Sequence, residues 1–359
     1  MNPSPLAHNP SPMGEYRRYL GRKILLLAAL ALVLVGAVLA SILAGSSGLT
    51  LGQVLAALVG RGTTQTSTIV WNVRMPRIAA AVVVGCGLAV AGCVMQSVLH
   101  NPLASASTLG VSQGASFGAT VAIVCLGAGA QQGSSTSGTI TIYNPTLVTF
   151  CAFLGGMVTV CVILALSRVR MSTPATMILA GVALSSLFTG GATLVQYFAD
   201  DVVLASVVYW TFGDLGRAGW NETGLIFLVL LVALAYFLLH SWSYNALQSG
   251  PQTAKSLGVP VERLTLVTMT LAALLSAAAV SFVGIINFVG LIAPHMVRRL
   301  VGSDHRFLLP ASALAGASVL LLSDLLARVA ASPMVLPIGA VTSFLGAPLF
   351  LYLIYKGAK

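Results

Sequence analysis

Residues Ser281 to Pro310 read SFVGIINFVGLIAPHMVRRLVGSDHRFLLP. The stretch begins inside an apolar run and carries Gly284, Gly290 and Pro294 where a plain membrane helix would carry leucines. It ends in a charged cluster, Arg298, Arg299, Asp304, His305 and Arg306. Glycine and proline at membrane depth break a helix, and broken backbone survives in lipid only where protein or a water-filled cavity covers it. A break followed by a charged turn and another apolar run predicts a moving or coupling part of a transporter rather than an anchor.

Composition places the whole chain in a membrane. Of its 359 residues, 57% are hydrophobic and only 7% charged, whereas soluble domains sit near 45–50% and about 25%. Mean hydropathy is +0.95. A soluble cytosolic enzyme is thereby excluded. The net charge of +10 is spread over turns between apolar runs, which suits anionic lipid and the fixing of topology, not nucleic acid. Cys86, Cys93, Cys125, Cys151 and Cys161 all lie in apolar runs with no C-x-x-C pair and are expected to be buried small hydrophobes. Residues 1–22, proline-rich and then basic, are expected to form a cytoplasmic tail, and residues 23–357 a single membrane domain. The first apolar run, 24–43, is too long for a signal-peptide core and reads as a retained helix.

Further apolar windows fall at 78–99, 107–127, 147–166, 175–199, 220–239, 264–284, 286–300, 308–331 and 335–355. Residues 264–297 carry no formal charge over 34 residues. One helix of that length would measure about 51 Å against about 30 Å of hydrocarbon, so two segments joined near Gly284–Asn287 are expected. The result is an all-α polytopic membrane protein of about ten transmembrane helices. With both termini cytoplasmic, only Arg61, Arg74, Arg77, Arg217 and Arg328 of the 18 basic residues fall outside, a 13 to 5 split in the sense the positive-inside rule requires.

Two interior stretches differ from plain loops. Residues 200–220 hold an apolar piece too short to cross, expected as a short helix at the outer mouth. Residues 241–264 are polar and broken at Gly250-Pro251 and Gly258-Val259-Pro260, and are expected to form two short cytoplasmic helices. Gly85, Gly92, Gly110, Gly114 and Gly118 have the spacing that lets membrane helices approach closely. Gly110-Val111-Ser112-Gln113-Gly114 also matches the G-x-S-x-G elbow of hydrolases. It lies in an apolar run with no nearby base, so helix packing is the reading.

No P-loop and no H-E-x-x-H occur. His100, His240, His295 and His305 show no metal-ligand spacing and read as structural or surface residues; no metal site is expected. Asp324 is the sole acid in the interior of a span, Glu222 lying at the outer edge of its own; it stands four residues before Arg328, where an intrahelical pair is expected. The scarcity of midplane carboxylates argues against an ion-coupled carrier and for energy supplied by a partner ATPase. Arg74 and Arg77, with Pro76 between them at a helix start, are expected to point a positive fork outward. Such a fork would anchor at the interface beside Trp71 or receive an acidic partner. Asn101-Pro102 reads as a turn that closes the span.

The residues resemble the FecCD-type permease subunits of binding-protein-dependent ABC importers for iron-siderophores, haem and cobalamin. The resemblance covers about residues 15–357. It rests on RMPR (Arg74–Arg77), NPLA (Asn101–Ala104), LGVSQGASFGA (Leu109–Ala119), SLGVPVER (Ser256–Arg263), FVGLIAPHMVRRLVGSDHRFLLP (Phe288–Pro310), SDLLAR (Ser323–Arg328) and LPIGAVTSFLGAP (Leu336–Pro348). Ile285 and Asn287 stand where proline and glycine are common in that family.

The resemblance implies the ABC importer type II permease fold and no catalytic residues in this chain. It also implies two copies around a central pathway, two cytoplasmic ATPases that bind the ATP and magnesium, and a substrate-binding protein docking from outside. By the same resemblance Arg74, Arg77 and Arg328 meet the binding protein, and Asn101 and Leu103 form the cytoplasmic gate. Ser185, Ser186, Thr189, Gly190 and Gly191 line the pathway. Residues 245–263, with Asn245, Ser256, Leu257, Gly258, Val259, Pro260 and Arg263, couple to the ATPase. A ferric siderophore is the first expected cargo, with haem or cobalamin behind it. An ion-coupled secondary carrier and an intramembrane hydrolase built on Ser112 are the competing classes.

Overall fold

A computed structural model describes residues 12–44, 49–129, 144–169, 174–332 and 334–357. The first eleven residues of the expected tail, Arg170, the Arg168 side chain and Lys359 lie outside the described residues. In order, the helices are α1 (Pro12–Leu43), α2 (Leu51–Leu58), α3 (Thr64–Thr68), α4 (Met75–Val98), α5 (Val111–Val124), α6 (Pro145–Val169), α7 (Pro174–Tyr197) and α8 (Asp201–Thr211). They continue with α9 (Trp220–Leu239), α10 (Ser241–Gln248), α11 (Pro251–Ser256), α12 (Val261–Val283), α13 (Val289–Val301), α14 (His305–Val329) and α15 (Ile338–Gly357). Each of the ten expected spans is a helix, although α1 already begins at Pro12, within the stretch read as a tail.

Seven of these helices are long and apolar enough to cross a membrane. α5 and α13, with 14 and 13 residues, reach only about 20 Å at 1.5 Å per residue, so neither crosses alone. The segment before α5 is spent on turns. α13 is shortened by the loop 284–288, where Gly284 takes φ +80° and Phe288 φ +66°. The first is a value that glycine tolerates and a β-carbon resists. The break therefore sits where the charge-free run demanded one.

Gly290 and Pro294, also read as breakers, lie inside a continuous α13. Pro294 has no N–H for the carbonyl of residue 290, and that carbonyl packs on α4. A Cβ on Gly92 would overlap it, and a Cβ on Gly85 would lie 2.5 Å from the Gly316 carbonyl oxygen of α14. The small residues of α4 let α13 and α14 close to backbone contact. α4, apolar all round, is accordingly the buried axis, walled by α14, α12, α13 and α9.

A second group, α5 with α6 and α7, leans on this core through the contact of α6 with α12. Gly114 and Gly118 face the backbones of Gly155 and Cys151. Ser112 is buried among them, so G-x-S-x-G serves packing here. α8 is the short helix expected within 200–220. α2, α3 and the wide turn Ile69–Arg74 were not foreseen, although Thr50 and Gln53 form a capping box at the start of α2. Of the cysteines, Cys93 is buried, but Cys125 and Cys161 are exposed on the protomer, contrary to expectation.

Candidate functional site

Polar side chains gather at the two ends of the bundle. At one end, the C-terminus of α1, the entry to α4 and the last turns of α14 converge. Asp324, 0% exposed, accepts from Arg77 Nε on Oδ1 and from Arg328 Nε on Oδ2, both at 2.9 Å. Arg77 Nη1 reaches Asp214 at 3.0 Å. Arg328 Nη1 also donates to the Ala44 carbonyl oxygen at 2.9 Å, and Arg74 Nη1 to that of Ile42 at 2.7 Å. The intrahelical pair of Asp324 with Arg328 forms as expected.

The outward fork does not form. Arg74 and Arg328 are buried and Arg77 nearly so, because a buried carboxylate and the carbonyls ending α1 offer these guanidiniums partners that lipid cannot. Reversing Arg77 to Glu would set two carboxylates against Asp324's site. Loss of folded protein therefore precedes any loss of docking.

At the other end, α10 and α11 lie across the bundle. α10 buries Ser241, Tyr244 and Leu247, and the Tyr244 hydroxyl hydrogen-bonds Thr268 of α12 at 2.7 Å. Gly250 (φ +103°) and Gly258 (φ +84°) turn the chain before and after α11. Ser256, Leu257, Gly258, Pro260 and Arg263 are exposed and Val259 is half-buried. Leu257 is 67% exposed on a turn flanked by the charged Lys255, Glu262 and Arg263.

Asn245, read with this exposed group, instead faces inward. Its Oδ1 accepts from the His305 backbone N–H at 2.8 Å, and its Nδ2 donates to Asp304 at 2.8 Å. Burial would raise the Asp304 carboxyl, but the donors of Arg306 and Asn245 outweigh that and hold it at about 2. With a folded value below its ordinary one, Asp304 stabilises this turn above the usual carboxylate range, and that contribution is lost only as pH falls toward 2.

Beside this cluster α4 ends in the turn His100–Ala104. Asn101 Oδ1 accepts from the Leu103 N–H at 2.8 Å, an Asx turn that leaves the Leu103 side chain 46% exposed. The proposed gate residues are thus side by side on one turn.

On α7, Ser186, Thr189 and Gly190 are exposed. Ser185 and Gly191 instead face α5, where their neighbours are Gly110 and Phe117. The hydroxyls of Ser185, Ser186 and Thr189 donate to carbonyls four residues back, so the open face presents acceptors rather than unpaired donors, set among the exposed Leu187 and Leu194. A cavity of about 900 Å³ lies elsewhere, between α6, α8, α9 and α12, among Phe150, Phe153, Trp210 and Phe282. Sequence reasoning missed it, together with Gln96, Ser97, Gln248 and Asp304, whose partners lie far along the chain. No group of three or more potential metal ligands occurs among the described residues.

An all-helical bundle around a buried α4, with a broken α12–α13 pair and a two-helix appendage at one end, fits a membrane-transport subunit. Comparison with known proteins makes this specific. Residues 31–356 match the FecCD transport family. The chain is 51% identical over 345 residues to a protein of Methanocaldococcus jannaschii assigned as an ABC transporter permease, covering 96% of this chain and 98% of that one.

It is 37% identical to the haemin transport system permease of Yersinia pestis (82% and 86% covered) and 35% identical to the vitamin B12 import system permease of Shigella boydii (93% and 95%). A solved ABC transporter assigned to the metal-chelate type, in an inward-facing conformation, superposes with TM-score 0.79 at 32% identity, covering 92% of this chain and 98% of that one. The chain belongs to the FecCD transport family. It is an ABC transporter permease, a membrane-spanning subunit and not an enzyme.

Proposed function

We propose that this permease imports a metal chelate, with a ferric siderophore the first candidate and haem or cobalamin the alternatives. It works in the cytoplasmic membrane of a bacterium or archaeon as a pair of identical chains. Two separate ATPase subunits bind the ATP and magnesium, and a substrate-binding protein delivers cargo from outside. Both termini and the α10–α11 end are cytoplasmic, in keeping with the distribution of basic residues. Residues 200–220 then lie outside, and Arg61, exposed on the same side by this topology, is a cation an acidic binding protein can reach directly.

The observation that carries this reading is the two-sided α10–α11 pair. One face is locked into the bundle, and the other presents Leu257 as an apolar knob between Lys255 and Arg263. The exposed turn, Leu257 beside Gly258 and Pro260 and flanked by charged residues, is a compact surface for a partner cleft to cover. The open face of α7 has no charged residue and has its hydroxyls internally bonded, which suits a bulky cargo that must slide without tight binding. Cargo identity follows from uptake into proteoliposomes carrying the permease, its ATPase and its binding protein. Iron-55-labelled siderophore should enter, and entry of haem or cobalamin alone would reassign the cargo. Leu257→Asp should weaken ATPase binding by about 2 kcal/mol, roughly thirty-fold. Its effect on permease melting should be small, since surface changes cost within about 0.5 kcal/mol. A pull-down titration beside a melting curve reads both.

A further inference from the structure

His305 is 1% exposed at the start of α14, and its ring bonds three side chains on two other helices. Nε2 lies 2.6 Å from Ser97 Oγ on the last turn of α4. Nδ1 lies 2.9 Å from Asn245 Oδ1 and 3.0 Å from Gln248 Nε2, both on α10. A neutral imidazole has one N–H and one lone pair, and either tautomer spans the gap. With the proton on Nδ1, the ring donates to Asn245 and accepts from Ser97. With it on Nε2, the ring donates to Ser97, whose hydroxyl turns to the Cys93 carbonyl oxygen 2.9 Å away, and Nδ1 accepts from Gln248.

A second tie runs parallel: His100 Nε2 donates to the Leu247 carbonyl oxygen of α10 at 3.0 Å. His100 itself is held at φ +48°, sparsely populated for a residue with a side chain, immediately before Asn101.

We propose that His305 is a positioning residue that, with His100, fastens α10 to the gate-bearing end of α4, so that a shift of α10–α11 moves the Asn101–Leu103 turn as one body. The inference rests on the reading of α10–α11 as the ATPase contact and of that turn as the gate. Hydrogen-bonded, close-packed groups move together rather than deforming continuously, and α10 is also held to α12 through Tyr244, whose ring packs 5.4 Å from that of His305. His305 and His100 thus give two polar ties from α10 to the end of α4.

The test uses the full permease with its ATPase subunits in proteoliposomes and two readouts. One is cargo taken up per ATP hydrolysed. The other needs no cargo: maleimide labelling of Leu103→Cys with and without nucleotide. His305→Ala should lower uptake per ATP about tenfold, within the usual range of coupling between sites. It should also abolish the nucleotide-dependent change in labelling, and His305→Gln should recover part of both. Ser97→Ala, a one-atom deletion, should shift both readouts in the same direction and serves if His305→Ala does not fold. Wild-type coupling and labelling in a folded Ser97→Ala or His305→Ala variant would overturn the inference. A Leu103→Cys parent whose labelling ignores nucleotide would overturn the gate assignment and the inference with it. A parent that labels normally yet imports none of the three chelates would count against the cargo reading alone.

Discussion

Asp324→Ala should abolish accumulation of folded permease, or lower its stability by about 3–5 kcal/mol, the cost of leaving a buried charge without its partner. The carboxylate is fully buried and holds Arg77 from α4 and Arg328 from its own helix. Its removal leaves Arg328 buried without an acidic partner and Arg77 with Asp214 alone, and a second substitution should therefore rescue. Asp324→Asn with Arg328→Gln removes one charge of each sign and keeps hydrogen-bonding groups in place. It should recover much of the stability, while Asp214 still partners Arg77. Size-exclusion profiles and melting curves in detergent check both. Equal loss in the single and double variants would show that the site is governed by shape instead of charge.

Gly92→Val should be comparably severe. A Cβ there would overlap the Gly290 carbonyl oxygen, and its other near neighbours, the Gly290 carbonyl carbon and Cα, are also backbone. No rotamer change relieves such a clash, so α4 and α13 must separate. Overpacking that side chains can absorb costs about 1–3 kcal/mol, and a backbone clash on the central helix exceeds that range. Gly224→Ala on α9, with nothing within 4 Å, is the control and should be neutral or slightly stabilising, since alanine is favoured in a helix. A folded Gly92→Val protein would contradict the close α4–α13 packing.

Much of this architecture was legible because membrane constraints are blunt. Apolar length marked the ten helices, the charge-free run of 264–297 forced a break, and glycine-proline pairs bounded α10 and α11. What stayed hidden were long-range polar pairings. Arg74 and Arg77 have the composition of an exposed fork, and only the fold reveals Asp324 beside Arg77 and the carbonyls ending α1 beside Arg74 and Arg328. Nothing near Asn245 in sequence hints at Asp304 or His305, some sixty residues on. Residue type alone also marked Gly290 and Pro294 as breaks. Their missing side chain and missing N–H bring α13 against α4 without ending it. The seven family motifs fall at turns and helix contacts, but they do not say which way a side chain faces.

The central claim is that ATP hydrolysed by a separate subunit drives cargo inward through this permease. The most direct measurement is uptake of labelled ferric siderophore into proteoliposomes holding the permease, its ATPase and its binding protein. ATP should drive it, and it should vanish when the ATPase is disabled at its catalytic carboxylate. Uptake that persists without the ATPase, sustained by a proton or sodium gradient, would contradict the account.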